Sequence, residues 1–222
     1  VVAAALDVLA EGGTAADAAA TSLLGLSVTE HGFFASGGEV PVLVYDARRK
    51  EVKVLCGLGR APLDPKAIAW FYKNGIPSSG SMKSAPVPGA IHLVCTLLAR
   101  YGSISFERAV TPTLAILDRK AKNWHPRLAV TLRKLVAAER AAKGTRVEKL
   151  SAARDRFYRG DIADELERWV DEGGVDGFNL AYAVTPGTFA DFIEWVVSEL
   201  ARRGRLRDGY AGETNPAVSA GS

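Results

Sequence analysis

At 222 residues, 48% of them hydrophobic, the chain is long enough for one large domain or two small ones to bury a working core. A formal net charge of +3 is too slight to point to a polyanionic partner, so a nucleic-acid protein is not expected. No apolar run approaches the roughly 20 residues that span a bilayer, since the stretch 18–28 is broken by Thr21, Ser22, Gly25 and Ser27.

The chain starts at Val1 rather than Met, which reads as an N-terminus missing or processed away, and no targeting signal is legible. Residues 2–10 have helical composition and stop at Gly12-Gly13, a suitable C-terminal cap. Thr14 followed by Asp17 resembles a capping box for "TAADAAATSLLGLSV", a helix whose small residues on several faces suit close packing in a core. "SGGE" (36–39) reads as a tight turn before a strand. "VPVLVYD" (40–46) and "EVKVLCG" (51–57) then form a β-hairpin around a polar turn. The basic clusters Arg48-Arg49-Lys50 and Arg202-Arg203 are short and read as a solvated turn and a helix C-terminus.

Asp64-Pro65 caps and opens the helix "KAIAWFYKNG", which ends at Gly75. Residues 75–89 are a loop, dominated by Gly, Pro and Ser. A helix over about 90–101 ends at Gly102, and another starts at Ser105 with Ala109, Leu114 and Leu117 facing inward. Pro126 opens a further helix, and 147–172 predicts one or two more, with Asp161 as a cap.

The tail has a different vocabulary. "FNLAYAV" (178–184) lacks polar alternation, as a strand buried on both faces does. In "FADFIEWVVSELARRG" the apolar residues Phe189, Phe192, Ile193, Val196, Val197 and Leu200 line one face of a helix closed by Gly204. A strand followed by a helix is the unit of parallel α/β folds.

Site motifs are sparse. Cys56 and Cys95 have no metal-ligand spacing, and His31, His92 and His125 are isolated, so neither a disulfide framework nor structural zinc is expected. "GLGRAP" (57–62) lacks the third glycine of a dinucleotide fingerprint. Asp155, Asp161, Asp171 and Glu172 read as solvated helix charges, and Trp169 and Trp195 as packing residues.

In order along residues 1–174, "ALDVLAEGGTAADAAATSLLGLSVTEHG", "SGGEVPVLVYDARRKEV", "GLGRAPLDP", "APVPGAIHLVCTLLARYGSISFERAVTPTLAIL", "HPRLA" and "FYRGDIADELERWVDEGG" resemble the large-subunit portion of the γ-glutamyltranspeptidase family. The resemblance implies a partial N-terminal nucleophile hydrolase fold, an α/β/β/α sandwich, here helix-rich. It also implies a precursor cleaved into two subunits, with the N-terminal Thr of the small subunit attacking the γ-glutamyl amide of glutathione-like substrates. A hydroxyl is a weak nucleophile at neutral pH, and the α-amine of the same residue can act as its base. This chain has no Thr-Thr-His start of that kind, so no catalytic residue is assigned and the small subunit is the expected partner.

The family's large subunit holds the substrate α-carboxylate with an arginine in an Arg-Glu-Thr-Ala-Pro segment. Aligning Ala61-Pro62 with its Ala-Pro puts Leu58 where that arginine stands and Arg60 two positions later. Side chains two apart on an extended segment share a face, so Arg60 is the substrate-binding candidate, its fork suited to a carboxylate. A salt-bridged arginine at the strand end, with an acylase-like substrate, is the alternative.

"DGFNLAYAVTPGTFADFIEWVVSELARRGRLRDGY" resembles the C-terminal end of luciferase-like, flavin-dependent monooxygenases of the nitrilotriacetate monooxygenase type, which are TIM barrels using reduced FMN. The expected junction is Gly174-Val175, giving fragments 1–174 and 175–222. One strand and one helix cannot close an eight-stranded barrel, so no cofactor is expected, and FMN enters only if this second resemblance carries the function. The remaining possibility is a hybrid product without catalysis. A half-sheet with one helical cover leaves apolar surface bare, so solubility is expected only with a partner or as an oligomer.

Overall fold

The computed structural model describes residues 1–30, 33–59, 64–77, 87–119 and 125–172, with side chains to residue 168. The chain divides into two compact units, Val1–Ala183 and Val184–Ser222, and the described residues all lie in the first. The expected junction at Gly174-Val175 and the barrel-type strand and helix of the tail lie outside the described residues.

The first helix, α1 (Val2–Ala10), ends as its glycines dictate. Gly12 takes φ +88°, and the N–H groups of Gly12 and Gly13 donate to the carbonyls of Leu9 and Val8, which satisfies the last turn. Helix α2 (Ala15–Thr29) opens on the expected capping box. Asp17 N–H donates to Thr14 Oγ1 (3.2 Å) and Thr14 N–H to Asp17 Oδ2 (2.8 Å). Its small residues let it pack on α1 and on two later helices at once, burying Ala16, Ala20, Leu24 and Val28.

Strands β1 (Val40–Asp46) and β2 (Glu51–Gly57) pair antiparallel, Val40 opposite Gly57 and Asp46 opposite Glu51. The connecting turn is polar, as expected. Asp46 Oδ1 accepts the N–H groups of Arg48 and Arg49, and Lys50 adopts φ +54°. The inward face, Val40, Val42, Val44 and Leu55, joins the core. The outward face pairs Pro41 with Cys56, Leu43 with Val54 and Tyr45 with Val52, so both faces of this hairpin are apolar. Leu43, Tyr45 and Val52 are 74%, 64% and 61% exposed.

Helix α3 (Pro65–Asn74) begins at Asp64, whose carboxylate accepts Lys66 N–H, and ends at Gly75. Helices α4 (Ala90–Tyr101), α5 (Phe106–Leu117) and α6 (Pro126–Ala141) follow at the expected places, with Ser105 capping α5. Ala109 and Leu117 are buried and Leu114 packs at the edge of the core. The segment 147–172 is two helices, α7 (Arg146–Tyr158) and α8 (Asp161–Glu172), and α7 starts with a capping box between Thr145 and Glu148. Asp161 is not a cap. It is the first residue of α8, where the Gly160 carbonyl already accepts Asp164 N–H, and its carboxylate pairs with Lys134 (2.5 Å) and Arg156 (2.8 Å).

The loop between α4 and α5 is held from three sides. Buried Asp17 accepts the N–H groups of Ser103 and Ile104 and the Ser103 hydroxyl. Burial alone would raise its pKa; the donors on Thr14, Ser103 and Ile104 outweigh that and hold the carboxyl below its ordinary range. Arg146 donates to the carbonyls of Leu98, Gly102 and Ile104. Glu139 accepts the first two N–H groups of α5, from Phe106 and Glu107, both at 2.8 Å.

Of the α/β/β/α sandwich expected of the fold, the described residues form a helical layer and one small sheet. Among the described residues that sheet has two strands, and α4 packs against β2.

Candidate functional site

The site is built where β2 runs out against the start of α4. Three glycines allow the chain segments to touch. A Cβ on Gly89 would lie 2.1 Å from the Gly57 carbonyl oxygen, and one on Gly59 would lie 2.6 Å from that of Val87. A Cβ on Gly57 would meet the Val40 carbonyl at 2.4 Å. The glycines of "GLG" and "PG" are therefore required by backbone approach.

The "SGGE" turn holds the other side. Gly38 N–H donates to Ala35, as a tight turn requires, and the Gly38 carbonyl accepts N–H from Gly89 and Ala90, two donors at the start of α4. Ser36 anchors this turn to α2 by donating to Ser27 Oγ (2.9 Å), which donates onward to the Leu24 carbonyl. Tyr158 completes the clamp: its hydroxyl donates to the Pro88 carbonyl (2.6 Å) and accepts His92 N–H (3.1 Å). Burial pushes the Tyr158 phenol up to about 12, so it serves as a neutral donor near pH 7.

Beside this junction lies a cleft of about 510 Å³, walled by Val54 to Gly59, Val87 to Gly89, Leu93 and Tyr158. His92, Thr96 and Arg100 enter it from α4 at spacings of four. Arg100 has no carboxylate partner among the described residues, so the cleft offers a free cation, a hydroxyl and an imidazole. It suits an anionic or polar ligand. A nucleophile paired with a base is not found among its described walls. Cys95, on the buried side of α4, has its thiol pushed up to about 12, first by burial and then by the Glu139 charge. Cys56 is exposed on the outer face of the hairpin, and neither cysteine forms a disulfide.

Arg60, the residue singled out for a substrate carboxylate, lies outside the described residues, as do Ala61, Pro62 and His31. Its neighbour Gly59 and the preceding Leu58 line the cleft, and β2 ends at Gly57, so Leu58 and Gly59 have already left the ladder. Asp155 lies between Arg154 and Arg159, and Asp161 between two cations, as helix charges. Sequence reasoning missed His92, Thr96, Arg100 and Tyr158. The first three carried a signal, a polar residue every fourth position in the apolar run 90–101, whereas Tyr158 reaches the site only through the packing of α7 on α4. Among the described residues, no group of three metal-capable side chains converges and no helix is long and apolar enough to cross a membrane.

Comparison with known proteins gives two likenesses. The Gamma-glutamyltranspeptidase family model matches residues 2–122. The glutathione hydrolase proenzyme of Bacillus subtilis strain 168 is 27% identical over 196 residues, covering 76% of this chain and 33% of the relative. A γ-glutamyltranspeptidase from Pseudomonas nitroreducens shares the fold, with a TM-score of 0.59 at 18% identity over 96% of this chain and 76% of that one. The dimethyl-sulfide monooxygenase of Hyphomicrobium sulfonivorans is 74% identical over 49 residues, which is 22% of this chain and 10% of that enzyme. The chain thus spans about a third of the hydrolase relative and about a tenth of the monooxygenase.

Proposed function

This chain belongs to the γ-glutamyltranspeptidase family, and we propose that it is the large-subunit part of a γ-glutamyl amide hydrolase or acyltransferase, inactive until a small subunit is supplied. The observation that carries this reading is the hairpin with two apolar faces. One face is covered by the helical layer, and the other leaves Leu43, Tyr45 and Val52 in solvent, as half of a sandwich does without its second sheet. The missing layer would bring the Thr nucleophile, its amine base and the oxyanion donors.

Within this reading Arg60 holds the substrate α-carboxylate. It follows directly on the cleft-lining Gly59, where backbone contacts fix the path of the chain. The substrate class is then a γ-glutamyl amide such as glutathione, or an acyl amide if Arg60 serves a salt bridge instead.

The test is hydrolysis of a γ-glutamyl anilide by the purified chain, with and without the small subunit of a related enzyme. Activity in the mixture alone is the expected result, and Arg60→Ala then raises KM with a smaller change in kcat. Silence in both arms would leave a hybrid without catalysis.

A second reading, an FMN-dependent monooxygenase remnant, is favoured by the 74% identity over 49 residues. FMN would be its cofactor, and no residue of this chain is assigned to it. Saturable FMN binding by the full chain would support that reading.

A further inference from the structure

Net charge dilutes a local excess. A hollow of about 630 Å³ lies between the hairpin turn and the C-terminal end of α4, and Arg48, Arg49, Lys53 and Arg100 converge on it. One carboxylate, Asp46, faces these four cations within the lining. That carboxylate is already engaged: its Oδ1 accepts the Arg48 and Arg49 N–H groups, and its Oδ2 lies 4.0 Å from Arg49 Nε. Outside the lining, Glu51 takes Lys53 at 3.0 Å and Arg49 at 3.8 Å.

Arg48 and Arg100 have no carboxylate partner among the described residues. Several other exposed arginines of the fold do, among them Arg133 with Asp118, Arg156 with Asp161 and Arg168 with Glu165. Two unpaired guanidinium groups, brought from a turn and a helix end about fifty positions apart in the chain, therefore meet in one hollow. Like charges gathered this way repel one another until an anion neutralises them, and guanidinium forks grip an anion with two or more charged oxygens by paired bonds.

We infer that the hollow between the hairpin turn and the end of α4 binds a small polyanion, a phosphate or a polycarboxylate. Val54, Leu55 and Tyr101 complete its walls, and Arg100 also lines the cleft described above, so ligands of the two sites share a charge. Binding at this site can be tested apart from the proposed hydrolase activity, because it needs no group from a small subunit.

The test is calorimetric titration of the full chain at low ionic strength with pyrophosphate and with citrate, against acetate and chloride at matched ionic strength. Saturable binding of pyrophosphate or citrate, without a response to acetate or chloride, is expected. The tighter of the two identifies the phosphate or the polycarboxylate source. Arg48→Gln and Arg100→Gln should each weaken binding about tenfold, and the double variant about a hundredfold. Arg127→Gln, which removes from α6 an exposed arginine with no carboxylate partner among the described residues, should leave it within about twofold. Thermal midpoints of every variant separate lost charge from lost fold. An equal response to acetate and chloride, no saturation with either polyanion, or wild-type affinity in a folded double variant overturns the assignment.

Discussion

The loop between α4 and α5 and the outer face of the hairpin treat their exposed groups in opposite ways. Around the loop, Asp17, Arg146 and Glu139 come from three different helices and satisfy N–H and C=O groups on both sides of the turn. Nothing outside the chain is needed there. On the hairpin, six apolar side chains sit in three cross-strand pairs, and the most prominent of them face solvent. The difference separates what this chain completes alone, a helical layer with its own polar locks, from what it leaves to be completed, a sheet face built for burial.

The sharpest way to break that contrast is Asp17→Ala. It removes the buried acceptor of several hydrogen bonds from part-buried donors on Thr14, Ser103 and Ile104, and should cost about 3–5 kcal/mol in urea unfolding. A cost below about 1 kcal/mol would mean the loop does not depend on its lock. The same carboxyl sets an acid limit. Its folded pKa is depressed, so its contribution is fully present above the ordinary value of about 3.9 and is lost as pH falls through the lower folded value. Asp17→Asn should flatten stability against pH in that window.

Gly89→Ala tests the junction between the two regions, since its Cβ would press on the Gly57 carbonyl. The backbone must shift, and a loss of about 1–3 kcal/mol in thermal unfolding is expected. Tyr158→Phe removes the bonds to Pro88 and His92 and should cost about 1 kcal/mol by the same measurement. The smallest stability effect belongs to the bare face: Leu43→Thr should change unfolding by no more than about 0.5 kcal/mol. It should nevertheless reduce self-association in light scattering and weaken reconstitution with a small subunit. A large loss of stability would show that the chain covers this face itself.

Much of the helical layer was legible because its punctuation is local. Gly12-Gly13, Thr14 with Asp17, Asp64-Pro65 and Ser105 act within a turn of where they stand, and each ended or opened a helix as expected. Asp161 was misjudged because a cap and a first-turn acid look alike in sequence, and the cations at Lys134 and Arg156 that claim its carboxylate are visible only in three dimensions. Asp17 was legible as a cap and illegible as the lock of a loop 86 residues away. The cleft was not legible. Gly57 and Gly59 read only as an incomplete fingerprint and Gly89 as the end of a loop, so their close approach emerged with the tertiary structure, and the basic turn looked solvated until Arg100 arrived beside it.

The sequence by itself determined the order and limits of most helices, the hairpin, the family, and the absence of a Thr-Thr-His start, since each is written in adjacent residues or in collinear motifs. Tertiary structure alone decided which charges are locked, which are left free, and that the hairpin's second apolar face is bare. Those properties depend on distances between residues far apart in the chain, and local composition carries no record of them.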